Sequence, residues 1–187
     1  MNIKTTLLAA ALIAVAPAVA LADGPKEMTT RTAAAGTSIA REVYEAFQRG
    51  ELRRFDAVIA PNVLINSPGG FGMTGVDALK TWGGAFLKAF KPRIDLIDEY
   101  DGTKNGEGRA FITVNLNWKH VEPFFDIKPT GREGTSIETF LFTVKGGKIV
   151  RWDVADNTID IAHYLTDRGW PSPHNVHPEV LVKGVAR

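Results

Sequence analysis

The sequence predicts an α+β fold in which helices pack on one face of a curved, mostly antiparallel sheet. Apolar residues recur at helical spacing up to about residue 90, and from Pro92 to Asp156 they alternate as in strands. The turn signals Asn105-Gly106 and Gly146-Gly147 fall between the alternating segments. Helices followed by an antiparallel meander favour α+β.

The individual elements follow from these patterns. In the N-terminal half we expect a helix from Ser38 to Gly50, a short helix over residues 51–59, a strand over residues 63–66 and a helix from Thr74 to about Phe90. In the second half we expect strands over residues 93–100, 110–120, 134–144 and 148–156, then a helix over residues 158–168. Residues 169–187 form a tail that packs either across the domain or against a second subunit.

The first 22 residues have the pattern of a cleaved secretory signal peptide. Lys4 precedes an apolar run from Leu7 to Ala20, and small residues lead up to Asp23, which predicts cleavage after Ala22. The run contains Pro17 and is shorter than the roughly 20 residues of a membrane span, so a retained anchor is the less favoured alternative. We therefore expect a periplasmic or secreted protein, with a flexible leader over residues 23–35 and one domain over residues 36–168.

The charge composition indicates which classes of binding partner to expect. The chain has 22 Lys+Arg against 21 Asp+Glu, and Lys4 is the only charged residue before Asp23, so the mature chain is neutral. We therefore expect no binding to nucleic acid or to an anionic membrane. Cysteine is absent, which excludes disulfides and a cysteine nucleophile.

Two motifs suggest a cofactor or a metal, and we interpret both as loops. Residues 70–75 spell G-x-G-x-x-G, with Asp95 about twenty residues further on, as in a dinucleotide site. Such a site requires parallel strands joined by helices, whereas this chain predicts consecutive antiparallel strands. His174 and His177 form H-x-x-H among prolines, without an evident third ligand. We therefore expect no cofactor and no metal.

Two ionisable residues continue apolar rows at the ends of predicted strands. Because side chains alternate across a strand, His120 continues the row that includes Leu116 and Trp118, and Asp156 continues the row of Val150, Trp152 and Val154. Desolvation of a carboxyl raises its pKa toward the range of a general base. We predict that Asp156 is a general acid or base and that His120 polarises or protonates a substrate oxygen. The predicted substrate-binding side chains are Trp118, Trp152, Phe140 and Phe142.

Structural roles for the same residues remain open. Asp156, followed by Asn157 and Thr158, could cap the last helix, which would not exclude catalysis. His120 could be an ordinary histidine at a strand end, and the tryptophans could be core residues. Glu138 is a second pocket carboxylate if it shares the row of Phe140 and Phe142. A cross-strand ion pair is the favoured alternative for it.

At these residues the chain resembles the SnoaL-like polyketide and ester cyclases of the nuclear-transport-factor-2-like superfamily. His120 stands nine residues before Pro129-Thr130-Gly131, and Trp152 stands four residues before Asp156, as is typical of that family. The resemblance covers about residues 36–168. It implies a cone-shaped α+β barrel with a deep apolar pocket, a homodimer, and no cofactor or metal.

The resemblance also implies an activity. Asp156 would be the general acid/base in an intramolecular aldol closure of a polyketide ester, and His120 would assist. Glu122 stands where the family has glycine, and the last predicted helix lacks a glutamine often present there. We therefore expect cofactor-independent acid/base catalysis on a small carbonyl or ester compound, of cyclase, isomerase or dehydratase type. The alternative is a non-catalytic binding protein for a small hydrophobic ligand.

Overall fold

The computed structural model describes residues 37–66, 73–156 and 179–187. The predicted signal peptide (1–22), the leader (23–35), the helix over residues 158–168 and the H-x-x-H pair lie outside these ranges. The elements are the helices α1 (Ile39–Arg49), α2 (Phe55–Val58) and α3 (Val76–Phe90), and the strands β1 (Ile59–Asn66), β2 (Met73–Thr74), β3 (Arg93–Asp101), β4 (Gly108–Lys119), β5 (Glu133–Lys145) and β6 (Lys148–Asp156).

The strands form one curved, unclosed sheet with the helices packed on it. The strand order is β2-β1-β6-β5-β4-β3, and all the pairs are antiparallel except β1 with β6. The predicted α+β class is therefore confirmed, and the architecture is consistent with the cone-shaped fold that the resemblance implied. A mostly antiparallel sheet is not the parallel sheet that a dinucleotide fold requires.

Helix α1 begins and ends where the sequence predicts. The Ser38 hydroxyl accepts a hydrogen bond from the Arg41 amide at 2.9 Å, and Gly50 ends the helix in a left-handed conformation with φ of 75°. The helix buries Ala40, Val43, Tyr44 and Ala46 against the sheet. Burial of this one apolar face provides most of the stability of an 11-residue helix.

The predicted short helix over residues 51–59 is confirmed over residues 52–58, as a 3₁₀ turn over Leu52–Arg54 followed by the four-residue α2. Its last predicted residue, Ile59, belongs instead to β1, where it pairs with Ile149. The pairing of β1 with β6 is irregular between Ile59 and Leu64, and this interval contains Pro61. A proline is tolerated at such an irregularity because no ladder hydrogen bond is required of its nitrogen.

Helix α3 also begins later than predicted. Thr74 pairs with Leu64 in the short strand β2 and does not open the helix. The N-cap is Gly75, whose φ of 97° suits a residue without Cβ.

Irregular pairing in β6 changes which residues face the helices. The register shifts between Thr143 and Val144, so that Val144 pairs with Ile149 and Val150 has no partner in the ladder. Ile149 is fully buried, and Val150 is not. The predicted apolar row of Val150, Trp152 and Val154 therefore begins with Ile149 instead.

Residues 181–184 of the C-terminal segment lie along the outer edge of β3. The Leu96 amide donates to the Val182 carbonyl at 2.8 Å, and the Leu96 carbonyl accepts from the amides of Leu181 and Val182. The Gly184 amide donates to the buried Asp95 carboxylate at 2.7 Å. Of the two positions expected for the tail, these residues take the one on their own domain.

Candidate functional site

The helix-facing side of strands β4, β5 and β6, called the inner face below, contains most of the predicted site residues. The register places side chains on this face in rows that cross the three strands. In the order β4, β5, β6, the rows are Leu116 with Ser136, Val114 with Glu138 and Asp156, Ile112 with Phe140 and Val154, and Ala110 with Phe142 and Trp152.

Asp156 is the last residue of β6, and its backbone pairs with Glu138. It follows Val154 by two residues and the buried Trp152 by four, so alternation along the strand assigns its position to the inner face. The alternative role of Asp156, as the cap of the helix predicted over residues 158–168, concerns residues outside the described ranges. The register therefore gives Asp156 the strand position that the sequence predicted.

Glu138 lies on the same face as Phe140 and Phe142, which was the condition for treating it as a pocket carboxylate. It is half-buried, and its Oε1 accepts a hydrogen bond from the Ser136 hydroxyl at 3.2 Å. Its direct cross-strand partners are Val114 and Asp156.

Ser136 was not identified from the sequence. It is 3% exposed, and it pairs in register with the buried Leu116. Alternation from Glu138 would have placed it on the inner face, but a serine in a threonine-rich strand gives no chemical signal by itself.

The four predicted substrate-binding aromatics differ in burial. Phe142, Trp118 and Trp152 are at most 5% exposed, whereas Phe140 is half-buried. The Trp152 ring makes edge contacts with Phe140, Phe142 and Phe55, at centroid distances of 5.4, 5.0 and 6.1 Å. Phe140 is thus the most accessible of the four, and its ring packs against the buried Trp152, which in turn packs against Phe142.

His120 is fully buried just after the end of β4. Its ring stacks on Phe90 of α3 at a centroid distance of 4.8 Å. Its Nδ1 accepts a hydrogen bond from the Thr130 amide at 3.2 Å and lies 3.1 Å from the Thr130 hydroxyl oxygen. The backbone at His120 also bonds to Gly131 and Arg132. His120 therefore fixes the loop between β4 and β5 at the Pro-Thr-Gly turn.

These contacts determine the tautomer of His120. A nitrogen that accepts from an amide has no proton, so the neutral ring has its proton on Nε2. Within the described residues, the buried Nε2 has no hydrogen-bond partner of normal geometry. Desolvation lowers the pKa of His120, and a backbone interaction with Glu122 opposes part of that shift. The imidazole is therefore neutral at pH 7.

The register does not bring His120 and Asp156 to the same level of the sheet. Asp156 is level with Val114, and His120 lies six residues beyond Val114 along the chain. At about 3.3 Å per strand residue, that offset is roughly 20 Å before sheet curvature is considered. A strand separates β4 from β6 as well.

The same ranges contain neither a metal-binding cluster nor a membrane-spanning helix. Among residues 37–66, 73–156 and 179–187, no three His, Asp or Glu side chains are grouped so that they could hold a metal ion. No helix in the described part of the chain is long and apolar enough to cross a membrane.

Comparison with known proteins extends these observations. The sequence matches the family described as SnoaL-like polyketide cyclase over residues 37–160. No curated protein matches the sequence.

Several solved structures have a similar fold. TsrD from Streptomyces laurentii has a TM-score of 0.55 at 14% identity and covers 68% of this chain and 92% of its own. A candidate polyketide cyclase from Pseudomonas putida has a TM-score of 0.55 at 19% identity, with 67% and 96% covered. A SnoaL-like polyketide cyclase from Agrobacterium tumefaciens has a TM-score of 0.52 at 13% identity, with 70% and 99% covered. At these identities the likeness concerns the fold.

Proposed function

This chain belongs to the SnoaL-like polyketide cyclase family, and from that membership we propose that it is an exported, cofactor-independent acid/base catalyst for a small carbonyl or ester compound. The reaction would be a cyclisation, isomerisation or dehydration that begins with removal of a proton from a carbon beside a carbonyl group. The observation that supports this proposal is the register position of Asp156 on the inner face, opposite Glu138.

In this proposal Asp156 is the general base. A carboxylate on an apolar face loses hydration, which raises its proton affinity and makes it a stronger base toward a C–H bond. The proton that Asp156 takes from carbon would return to an oxygen or a carbon of the product. Because the carboxylate is regenerated when it gives the proton back, such a cycle consumes no cofactor.

The proposed substrate contacts come from the same face. Phe140 would lie against the apolar part of the ligand, with Val154 beside it, and Phe142, Trp152 and Trp118 would form the wall behind. A small substrate is consistent with this arrangement because, of these four aromatic residues, Phe140 alone is not buried.

For His120 the contacts support a positioning role. Its Nδ1 is occupied by Thr130, and its offset from Asp156 disfavours direct proton exchange between the two side chains. Nε2–H could still polarise an oxygen of a ligand that reached it, as the sequence suggested.

We also propose that the protein is exported and that it forms a homodimer. Cleavage after Ala22 would release the mature chain into the periplasm or the medium. A homodimer would form through the outer face of the sheet, where Tyr100 and Leu141 are 54% and 41% exposed and Phe111 lies between them in register.

The test begins with native mass spectrometry of the protein purified from the compartment to which it is exported. We expect a small apolar carbonyl or ester compound to co-purify. That compound is then incubated with the wild type and with Asp156→Asn, and its conversion is followed by chromatography. The substitution is expected to lower turnover by 100-fold or more, the scale of general acid/base catalysis, while binding remains.

Asp153→Asn is the matched control, because Asp153 is three residues away on the same strand, on the opposite face, and bonds to Arg151 and Asn66. It is expected to convert the compound at the wild-type rate. Tight binding without conversion by any variant would favour the alternative of a non-catalytic binding protein. Equal turnover by the wild type and Asp156→Asn would contradict the assignment of the base.

A further inference from the structure

The tautomer of His120 decides what its imidazole can do to a ligand. A neutral imidazole has one nitrogen that donates a hydrogen bond and one that accepts, and the partner of one nitrogen fixes the role of the other. The His120 ring is fully buried and stacks on Phe90 with an interplanar angle of 21°. The contacts of Nδ1 in this fixed ring therefore determine what Nε2 offers.

Thr130 presents two groups to Nδ1, and they differ in the tautomers that they permit. The hydroxyl oxygen lies 3.1 Å from Nδ1 and itself accepts from the Arg132 amide at 3.3 Å. A hydroxyl can donate or accept, so this contact alone would allow either tautomer. The Thr130 amide lies 3.2 Å from Nδ1 and can only donate. A proton on Nδ1 would face the amide proton, so the amide is the group that selects the tautomer.

The Pro-Thr-Gly turn directs this amide at the ring. Gly131 has a φ of 68°, a left-handed conformation that suits a residue without Cβ. Its amide donates to the His120 carbonyl at 3.0 Å, and the His120 amide donates to the Arg132 carbonyl at 2.8 Å. Two consecutive amides of the turn thus bond to the ring and to the backbone of the same residue. These bonds fix the Thr130 amide relative to the imidazole.

We propose that Thr130 is a positioning residue for His120, and that its backbone amide confines the neutral imidazole to the tautomer with the proton on Nε2. This inference rests on the ligand contact proposed for His120. A nitrogen that has a proton cannot remove one, so His120 acts on a ligand as a neutral hydrogen-bond donor to an oxygen and not as a base. Protonating that oxygen would require the imidazolium. Of the two roles that the sequence predicts for His120, polarising the oxygen is therefore the one retained.

The test is ¹⁵N NMR of the imidazole nitrogens in the full chain at pH 7.5, with His120→Gln used to identify the His120 signals among the four histidines. In the wild type, Nε2 is expected to have the shift of a protonated nitrogen and Nδ1 that of an unprotonated one. The expected population ratio of the two tautomers is roughly ten to one, the scale of one hydrogen bond. A scalar coupling between the Thr130 amide nitrogen and Nδ1 is expected across that bond.

Two substitutions at one position separate the amide from the hydroxyl. Thr130→Pro removes the amide donor, and it is expected to lower the tautomer ratio by roughly tenfold. Thr130→Val removes the hydroxyl alone, so as the matched control it is expected to keep the wild-type ratio. A fall of the ratio in Thr130→Val to that of Thr130→Pro would overturn the assignment to the amide.

The wild type alone is sufficient to refute the inference. A proton on Nδ1, or the absence of the coupling between the two nitrogens, overturns it even if Thr130→Pro does not fold. No substrate is required for these measurements. A fixed tautomer without turnover would therefore retain this inference while rejecting the proposed catalysis.

Discussion

His120 illustrates how one residue can explain a spacing in the sequence. The spacing of nine positions from His120 to Pro129 is the length of a loop that returns to the ring, where the Thr130 amide donates to Nδ1. The ring also stacks on Phe90, and the amides of Val121 and Glu122 donate to the Ala89 carbonyl. The motif therefore has a structural explanation that requires no substrate.

Acidification should weaken the fold through His120. Its pKa is lowered in the folded state by desolvation, so the unfolded chain binds a proton more readily, with a pKa near 6.5. Its contribution to the free energy of unfolding is fully present above about pH 6.5. This contribution is lost as the pH falls from about 6.5 toward the lower pKa that His120 has in the folded state. The loss is at most about 1.4 kcal/mol per pH unit. Urea unfolding of the wild type and of His120→Gln at pH 7.5 and 5.5 measures this difference.

Two variants, His120→Gln and Thr130→Val, separate the effect of the imidazole from that of the Thr130 hydroxyl. His120→Gln is expected to be less stable at pH 7.5 but to lose less stability on acidification than the wild type. Thr130→Val retains the Thr130 amide and the imidazole, so it should keep the wild-type pH dependence. A constant difference between the wild type and His120→Gln at both pH values would refute the lowered pKa.

At the level of elements, the edge of the sheet is protected by the chain itself. β3 is an edge strand, and free strand edges promote aggregation. Residues 181–184 lie along this edge, and Gly184 fits closely because an added Cβ would meet the Ile94 carbonyl oxygen within contact distance. The Asp95 carboxylate, which is 4% exposed, accepts from the Gly184 amide and from Arg93.

Gly184→Ala should therefore detach this segment from β3. The Leu96 amide would lose its bond to Val182 and exchange with solvent at least tenfold faster, equivalent to about 1.4 kcal/mol. Hydrogen exchange followed by NMR measures this rate. Lys183→Ala changes an exposed neighbour and is expected to leave the Leu96 rate unchanged. Equal exchange rates in Gly184→Ala and the wild type would show that the edge does not depend on this glycine.

The elements also indicate what sequence patterns can predict. The caps of α1 and the alternation over β3 to β6 are local signals, and the structure confirms them to within two residues at each end. The start of β1 at Ile59 and the shift beside Val150 could not be predicted, because each depends on the partner strand. The offset between His120 and Asp156 likewise depends on the pairing register, as does the Glu138 position opposite Asp156.

On the scale of the whole molecule, the two sides of the sheet differ in character. The inner face is covered by helices. The outer face has polar pairs such as Thr113 with Thr139, bonded at 3.0 Å, and beside them the apolar row of Tyr100, Phe111 and Leu141. This apolar row is the surface through which we propose that two copies associate.

If a second copy covers it, Leu141→Glu should dissociate the dimer. Each copy would carry an added charge into the interface, and burying these charges would be costly. Sedimentation at micromolar concentrations is expected to give a dimer for the wild type and a monomer for the variant, with circular dichroism unchanged. Val180→Glu, at a 40% exposed site in the C-terminal segment, is the control and should remain dimeric. A monomeric wild type would contradict the prediction.

The parallel pairing of β1 with β6 affects how the chain folds as it is made. Ile65 pairs with Trp152 in register although 86 intervening residues separate them, so the centre of the sheet closes only after nearly all of the domain has been synthesised. Contacts between such distant residues slow folding. An early stop before residue 149 would leave β1 paired with β2 alone and separated from the rest of the sheet, and such a fragment would be a substrate for proteases rather than a smaller working domain.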